Sequence, residues 1–236
     1  MTKPLSTLGI IPARGGSKRL PRKNLLPLAG KPLVAWSIEA ALHARLLSRV
    51  VVSSENAEVL AIAKDYDPRL PLPRPVELAG DKSLAIEFVK HALSTLEARG
   101  EGPFEAIVIV QPSSPLTLPE DIDATVELLA ASGAESAVSV MQLDHAIHPV
   151  KLKILEGDRL LPYLEDERGR MADHELPTIY VRSGSVYATR REVIERGRIL
   201  GDDCRGYVMP RERAIDINVL LDFQFAEFLL TRSTSR

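Results

Sequence analysis

Three things are scarce in this sequence, and each absence removes a class of protein. There is one cysteine, Cys204, so neither an internal disulfide nor a Cys-based zinc site can be built. No apolar run approaches the ~20 residues that span a bilayer. The third absence is local: between Met1 and Ile38 there is no Asp or Glu, while seven cations accumulate (Lys3, Arg14, Lys18, Arg19, Arg22, Lys23 and Lys31). The chain as a whole carries a formal net charge of -2, so it lacks the basic field of a nucleic-acid binder. A segment that begins like a buried strand and then gathers unpaired cations is costly without an anionic partner.

What is present is ordinary for a globular domain. Hydrophobic residues make up 45% and charged residues 26% of 236 residues, enough for one α/β domain with a proper core and a small insertion. The opening MTKPLSTLGIIPAR has too short an apolar core for a signal peptide and reads as a strand, so a cytoplasmic protein is expected. Strands are expected over residues 7–12, 50–53, 106–110 and 185–189. Helices are expected over 33–46, through roughly Ala63, near Ser83–Leu96, over 120–131 and over 220–230. Thr117…Glu120 has the spacing of a capping box, with Pro119 in the first turn. The alternation predicts a three-layer α/β fold, a mostly parallel sheet covered on both faces. Residues 141–180 lapse into polar sequence and read as an insertion or dimerisation arm within a single domain. In such sheets the site lies beyond the carboxyl ends of the strands, where ARGGSK, SSEN, QPSSP and RSG fall.

The segment ARGGSKRLPRKN carries the strongest chemical signal. Gly15 and Gly16 allow backbone amides to approach an anion, Arg14 can fork onto phosphate oxygens, and Lys18 and Lys23 add point charges. A triphosphate bears roughly four negative charges at neutral pH, so several cations suit it. The segment is neither a Walker loop, because Ser17 precedes Lys18 and Arg19 follows it, nor a GxGxxG motif. His145 and His148 have H-x-x-H spacing but no third ligand in sight, and are not read as a zinc site. Trp36, Phe223, Phe225 and Phe228 stand at helical spacings in apolar company and are expected in the core.

IIPARGGSKRLPRKN, followed by LAGKPLVAWSIEAAL, resembles the N-terminal signature of the acylneuraminate cytidylyltransferases. Further segments agree in order: VVSSENAEVLAIAK, RPVELAGDKSLAIEFVKHAL, QPSSPLTLPEDID, RSGSVYATRREV and YVMPRERAIDINVLLDFQFAEFLL. The resemblance implies a Rossmann-like α/β fold of the nucleotide-diphospho-sugar transferase type, a CTP substrate, Mg²⁺, and a homodimer in which each insertion reaches toward the partner's site. It places Arg14, Gly15, Gly16, Ser17 and Lys18 on the triphosphate, Lys23 near the reacting phosphate and Asn24 on the nucleotide. It likens Arg74 to a cytosine or ribose contact and sets Ser83 in a nucleotide-lining turn. Gln111, Lys151, Arg182 and Tyr187 fall on the sugar side. Asp216 is the metal candidate, with Asn218 where the family usually has a second Asp. Thr117 and Ser183 also depart from the pattern, standing where Arg and Asn are usual. Relatives that load KDO usually carry Thr-Arg after the loop serine and Gly-Lys-Pro for Arg-Lys-Asn, so Lys18-Arg19 and Lys23-Asn24 point to the nine-carbon acids.

The expected activity is therefore transfer of CMP from CTP to the anomeric hydroxyl of an N-acylneuraminate-like, nine-carbon 2-keto-3-deoxy acid in carbohydrate biosynthesis, releasing pyrophosphate. The same reaction on legionaminic acid, pseudaminic acid or KDO is the alternative within enzymes. A nucleotide-binding regulatory protein that has lost catalysis, motivated by Asn218, is the alternative of another class. Nucleic acid and membrane are not expected partners.

Overall fold

The computed structural model describes residues 5–164 and 176–233. Among the described residues, eleven strands and six α-helices follow in chain order. The strands are β1 (Thr7–Pro12), β2 (Pro27–Leu28), β3 (Lys31–Pro32), β4 (Arg49–Ser54), β5 (Pro71–Pro73), β6 (Ala106–Val110), β7 (Ser136–Gln142), β8 (Lys153–Glu156), β9 (Arg159–Pro162), β10 (Tyr180–Arg190) and β11 (Cys204–Val208). The helices are α1 (Leu33–His43), α2 (Ala57–Tyr66), α3 (Ala85–Ala98), α4 (Pro119–Ser132), α5 (Arg191–Glu195) and α6 (Leu220–Ser233). Seven strands form the central sheet in the order β11-β7-β10-β6-β1-β4-β5, with β10 alone antiparallel to its neighbours.

β6 is apolar at every position, and β1 and β4 are apolar through their centres, because both faces of the sheet are covered. Successive side chains alternate between two clusters. Ile11, Val50, Val52, Val108 and Val110 pack with Val34 and Ile38 of α1, Val59 of α2 and Ile122, Val126 and Leu129 of α4. Leu8, Ile10, Val51, Ile107 and Ile109 face Phe88, Val89, Ala92 and Leu96 of α3 and Ile194 of α5. A third cluster (Leu20, Leu28, Leu33, Leu116, Ile217, Phe223, Ala226) fastens α6 and the segment before it to the loops above the sheet. The three-layer, mostly parallel arrangement expected from the alternation is what the chain forms. β5, with prolines at both ends, is tolerated because it lies at the sheet edge.

Local differences from the sequence reading have identifiable causes. α1 stops at His43 rather than near Leu46, because the carboxylate of Asp123 accepts the backbone N–H groups of Arg45 (3.2 Å) and Leu46 (2.9 Å). The start of α4 is shifted by one residue from the expected Thr117…Glu120 box. Leu118 is the N-cap and its N–H donates to Asp121 (2.9 Å), while the Thr117 hydroxyl turns back to the Ser114 carbonyl (2.8 Å). α3 starts at Ala85 rather than at Ser83: Leu84 is the N-cap, with its N–H on Glu87, and the Ser83 hydroxyl donates to the Glu77 carbonyl. Phe223 is buried as expected, but Phe225 and Phe228 are about half exposed, and Phe228 lies under the Arg232 guanidinium. Within residues 141–180, β7 extends to Gln142 and β8 pairs with β9 in a separate antiparallel hairpin; residues 165–175 lie outside the described residues.

One polar knot sets the position of the last segment. Asp121, fully buried, accepts from Arg213 through both oxygens (3.1 and 2.7 Å), from the Tyr207 hydroxyl (2.9 Å) and from the Leu118 amide. Breaking a buried pair by removing one partner leaves an uncompensated charge. Arg213→Met is therefore expected to lower unfolding free energy by about 3 kcal/mol, read from urea denaturation at neutral pH. A loss within experimental error of zero would show that the knot does not hold this segment.

Candidate active site

The loops that follow β1, β4, β5 and β6 all leave the carboxyl edge of the sheet, and the first half of the antiparallel β10 reaches the same edge. The basic loop after β1 is held by two neighbours. Asn24, buried, donates its amide to the Arg14 carbonyl (2.8 Å). Gly15 sits so close to Asn56, the N-cap of α2, that a Cβ there would lie 2.8 Å from its side-chain nitrogen. Only glycine fits that approach. Gly16, by contrast, has open space where a Cβ would stand.

The loop cations are not unpaired, as the acid-free stretch suggested. Their partners come from distant segments. Asp81 accepts from Arg14 (3.0 Å) and Lys18 (2.7 Å), Glu58 from Arg22 (2.7 Å), and Glu39 pairs with Lys31. Two more loop cations turn to the other end of the chain. Lys23 donates its ammonium to the Ile217 carbonyl (2.6 Å), and Arg19 donates to the side-chain oxygen of Asn218 (2.7 Å). The Asn218 amide in turn donates to Asp216 (2.8 Å), and the Asp222 carboxylate accepts the Asn218 backbone N–H (2.8 Å). Burial pushes the Lys23 ammonium below the usual lysine value; Asp216 pulls it back up, and Arg19 and Arg14 add to the lowering.

β10 is irregular where it meets this cluster. Its register with β7 shifts between Arg182 and Tyr187, and Gly184 at φ 80° brings the backbone against Asp216, whose Cγ would lie 3.4 Å from an added Cβ. Tyr187 is half-buried; burial pushes its phenol up, Arg182 opposes that and Asp216 reinforces it. Arg182 is exposed, and Gln111 is half-buried at the end of β6, its N–H on the Ser185 carbonyl (2.9 Å). Ser183 points away from this face: it is buried and hydrogen-bonds Ser139 (2.7 Å), so its departure from the family pattern serves strand packing. Lys151 lies in the arm, with its ammonium on His145 Nδ1 (2.9 Å), while His148 Nδ1 accepts the Val150 N–H. Among the described residues no group of three His, Cys, Asp or Glu side chains is arranged to hold a metal.

Arg74 departs from a simple ligand contact. Its side chain is 3% exposed, stacks over Phe88 and donates to Glu55 (3.1 Å), whose other oxygen accepts the Gly15 N–H (2.6 Å). Glu55, Asp81 and Asp222 were not singled out in the sequence. A general signal for the first two was available: Glu55 follows β4 directly, and a loop with five cations (Arg14, Lys18, Arg19, Arg22 and Lys23) requires counter-charge from elsewhere.

A family model described as Cytidylyltransferase matches residues 8–200. The chain belongs to that family, and it is an enzyme of the nucleotidyltransferase class, as the resemblance implied. It is 33% identical to a CMP-N,N'-diacetyllegionaminic acid synthase of Legionella pneumophila, covering 94% of this chain and 95% of that protein. A pseudaminic acid cytidylyltransferase of Campylobacter jejuni is 27% identical, with 95% and 96% covered. An N-acylneuraminate cytidylyltransferase of Escherichia coli is 30% identical over 93% of this chain, which spans 51% of that longer protein. Among solved structures, a CMP:2-keto-3-deoxy-manno-octonic acid synthetase complexed with CTP superposes with a TM-score of 0.71 at 17% identity, over 97% of this chain and 99% of the other. At that identity the likeness is one of fold.

Burial alone would push the Glu55 carboxyl up, but backbone N–H groups, Gly15's among them, and the Arg74 guanidinium hold it below the usual glutamate value. A carboxyl depressed in the folded state contributes stability above its unfolded pKa and loses it as pH falls through the folded pKa. The stability of the wild-type protein is accordingly expected to drop more steeply than that of Glu55→Gln as pH is lowered below about 4.5. Parallel acid-unfolding curves for the two proteins would contradict the assignment.

Proposed function

We propose that the protein transfers CMP from CTP to the anomeric hydroxyl of a nine-carbon 2-keto-3-deoxy sugar acid, releasing pyrophosphate, and does so as a cytoplasmic homodimer. The observation that carries this is the attachment of the basic loop to the last segment, through Lys23 on the Ile217 carbonyl and Arg19 on Asn218. It sets a dense group of phosphate-binding cations beside the carboxylate of Asp216, at the edge of the sheet where α/β proteins bind ligands. The relatives named above act on three sugar acids, and their identities of 27–33% over nearly the whole chain support the same reaction here.

In this reading Arg14 and Lys18 leave Asp81 for the phosphates, with the amides of Gly16 and Ser17 beside them. The pair is exposed on both sides, Lys18 at 80% and Asp81 at 45%, so solvent screens it and holds it only weakly. A triphosphate therefore displaces Asp81 at little cost. The sugar hydroxyl oxygen attacks the α-phosphorus in line with the leaving pyrophosphate; the new P–O bond forms as the old one breaks, and the hydroxyl proton is released. Lys23 faces the charge at the α-phosphate, and Arg14 and Lys18 the charge on the leaving group. Asn24 and the segment of Arg74 and Ser83 border the nucleotide. Gln111, Arg182 and Tyr187, with Lys151 from the arm, form the sugar side.

Asp216 offers the oxygen chemistry that Mg²⁺ takes. Its neighbour Asn218 already spends its amide on Asp216 and its oxygen on Arg19, so the donor set fits an ion held by one carboxylate, with Asn218 as a further oxygen ligand only if Arg19 releases it. When bound there, Mg²⁺ supplies charge neutralisation to the phosphates. The arm supports the dimer: Leu155, Leu160 and Tyr163 are each about 60% exposed on or beside an isolated hairpin, an apolar surface of the kind that a partner copy covers.

A panel of N-acetylneuraminic, legionaminic, pseudaminic and KDO acids, each with CTP, UTP, ATP or GTP and read by pyrophosphate release, tests base and sugar together. Turnover with CTP and a nine-carbon acid is expected. Turnover with KDO alone would overturn the sugar assignment, and CTP binding with no turnover on any acid would favour a regulatory protein. Lys18→Ala should keep the wild-type fold, since the side chain is solvent-facing, and lower kcat/KM by roughly 100-fold; a rate near wild type would remove Lys18 from the site.

A further inference from the structure

Glu55 sits beneath the basic loop and touches two segments at once. One carboxylate oxygen accepts the Gly15 N–H at 2.6 Å, and the other accepts from Arg74 at 3.1 Å. The side chain is 17% exposed and that of Arg74 3%. Arg74 gains a second restraint from Phe88, whose ring centroid lies 5.6 Å from the guanidinium carbon. Its Nε is buried and has no hydrogen-bond partner among the described residues. A buried guanidinium with one orphaned donor is costly, and removing its carboxylate would leave the charge itself uncompensated. Arg74 is therefore held where it is by Glu55, and not by the nucleotide.

Gly15 is fixed by the same short segment. Glu55 takes its amide while Asn56, the next residue, fills the space over its α-carbon. The Asn56 side chain is immobile in turn, because it caps α2 by accepting the Glu58 and Val59 N–H groups (2.9 and 3.1 Å). The Glu55-Asn56 dipeptide thus joins the loop after β1 to the segment after β5 across the end of β4, the strand between them.

We infer that Glu55 is a positioning residue of the nucleotide site: its carboxylate fixes the Gly15 end of the phosphate-binding loop and the Arg74 segment in one register, so that the two close on a single CTP. The inference rests on the proposed CTP site. It also implies that the Gly15 amide is committed to Glu55, and that phosphate oxygens meet the loop from Gly16 onward.

Three variants separate this role from general stability. Glu55→Gln keeps an acceptor for the Gly15 N–H and loses the charge opposite Arg74. Glu55→Ala loses both, and Glu55→Asp keeps the charge on a side chain one methylene shorter. Steady-state kinetics with varied CTP should show KM rising about tenfold in Glu55→Ala, by less in Glu55→Gln, with kcat changing less than KM in both. CTP affinity measured calorimetrically should weaken in the same order. Glu55→Asp should resemble Glu55→Ala, since the reach to both partners is what matters. Thermal melts on the same samples supply the control. A lower melting temperature with unchanged KM and CTP affinity would reduce Glu55 to a structural residue and overturn the inference, as would unchanged KM at unchanged stability. Lys18→Ala run alongside keeps the two readings apart. If it binds CTP normally, the nucleotide site itself is wrong; if it loses CTP while Glu55→Ala binds normally, only the role of Glu55 is.

Discussion

The backbone of Ile217 joins three parts of the chain that are far apart in sequence. Its N–H donates to the Ser113 carbonyl at 2.8 Å, and its carbonyl accepts the Lys23 ammonium at 2.6 Å. The side chain is fully buried with Leu20, Leu28, Leu33 and Phe223. Backbone hydrogen bonds anchored by a buried residue cannot readily be exchanged for water, so the segment is fixed in height and direction. Asp216 and Asn218, on either side of it, are left half-buried and facing the loop cations. Asp121 holds the same segment from the other side through Arg213. A site assembled from residues near 20, near 115 and near 216 needs such a tie, because local structure alone does not bring them together.

Charge compensation around the loop falls into two grades. The exposed pairs, Asp81 with Arg14 and Lys18 and Glu58 with Arg22, lie where solvent screens them and an incoming anion can take their place. The buried pair, Glu55 with Arg74, is too expensive to open and acts as part of the frame. Lys23 lies between these cases. Burial disfavours its charge and nearby Asp216 restores it, so its ammonium is held between the loop and the last segment, on the Ile217 carbonyl.

The sheet and its order of βα units were legible because both faces are covered. That produces unbroken apolar strands such as AIVIV, followed at once by polar, small-residue turns. Helix ends were less legible, and the reason is tertiary. Asp123 takes the N–H groups that would have extended α1, and Asp121 serves the N-cap of α4 one residue away from where local spacing put it, because it also answers Arg213 and Tyr207. The cation-rich loop and its need for counter-charge were recognisable, but not which residues meet it, since Asp81, Glu58 and the neutral Asn218 approach from sequence separations of 36 to 199 residues. Phe225 and Phe228 share the spacing of core residues and yet are exposed, because the face of α6 that joins the third cluster is the one carrying Phe223 and Ala226.

The three departures from the family pattern have different physical standing. Thr117 is 4% exposed and closes a turn on the Ser114 carbonyl; Ser183 is 2% exposed and locks β10 to Ser139. Neither presents a group to a ligand, so neither can read a sugar acid by contact. Asn218 is the departure that faces the site, and its amide does what a carboxylate cannot: it donates to Asp216 while accepting from Arg19. A second carboxylate at that position would oppose Asp216 across a hydrogen-bond distance and would need a cation or a proton between them. With asparagine the cluster is internally satisfied, and the basic loop stays attached to the last segment without an added charge. Under the proposed function, sugar choice falls to Gln111, Arg182 and Tyr187 and to the arm that carries Lys151, groups that are half-buried or exposed.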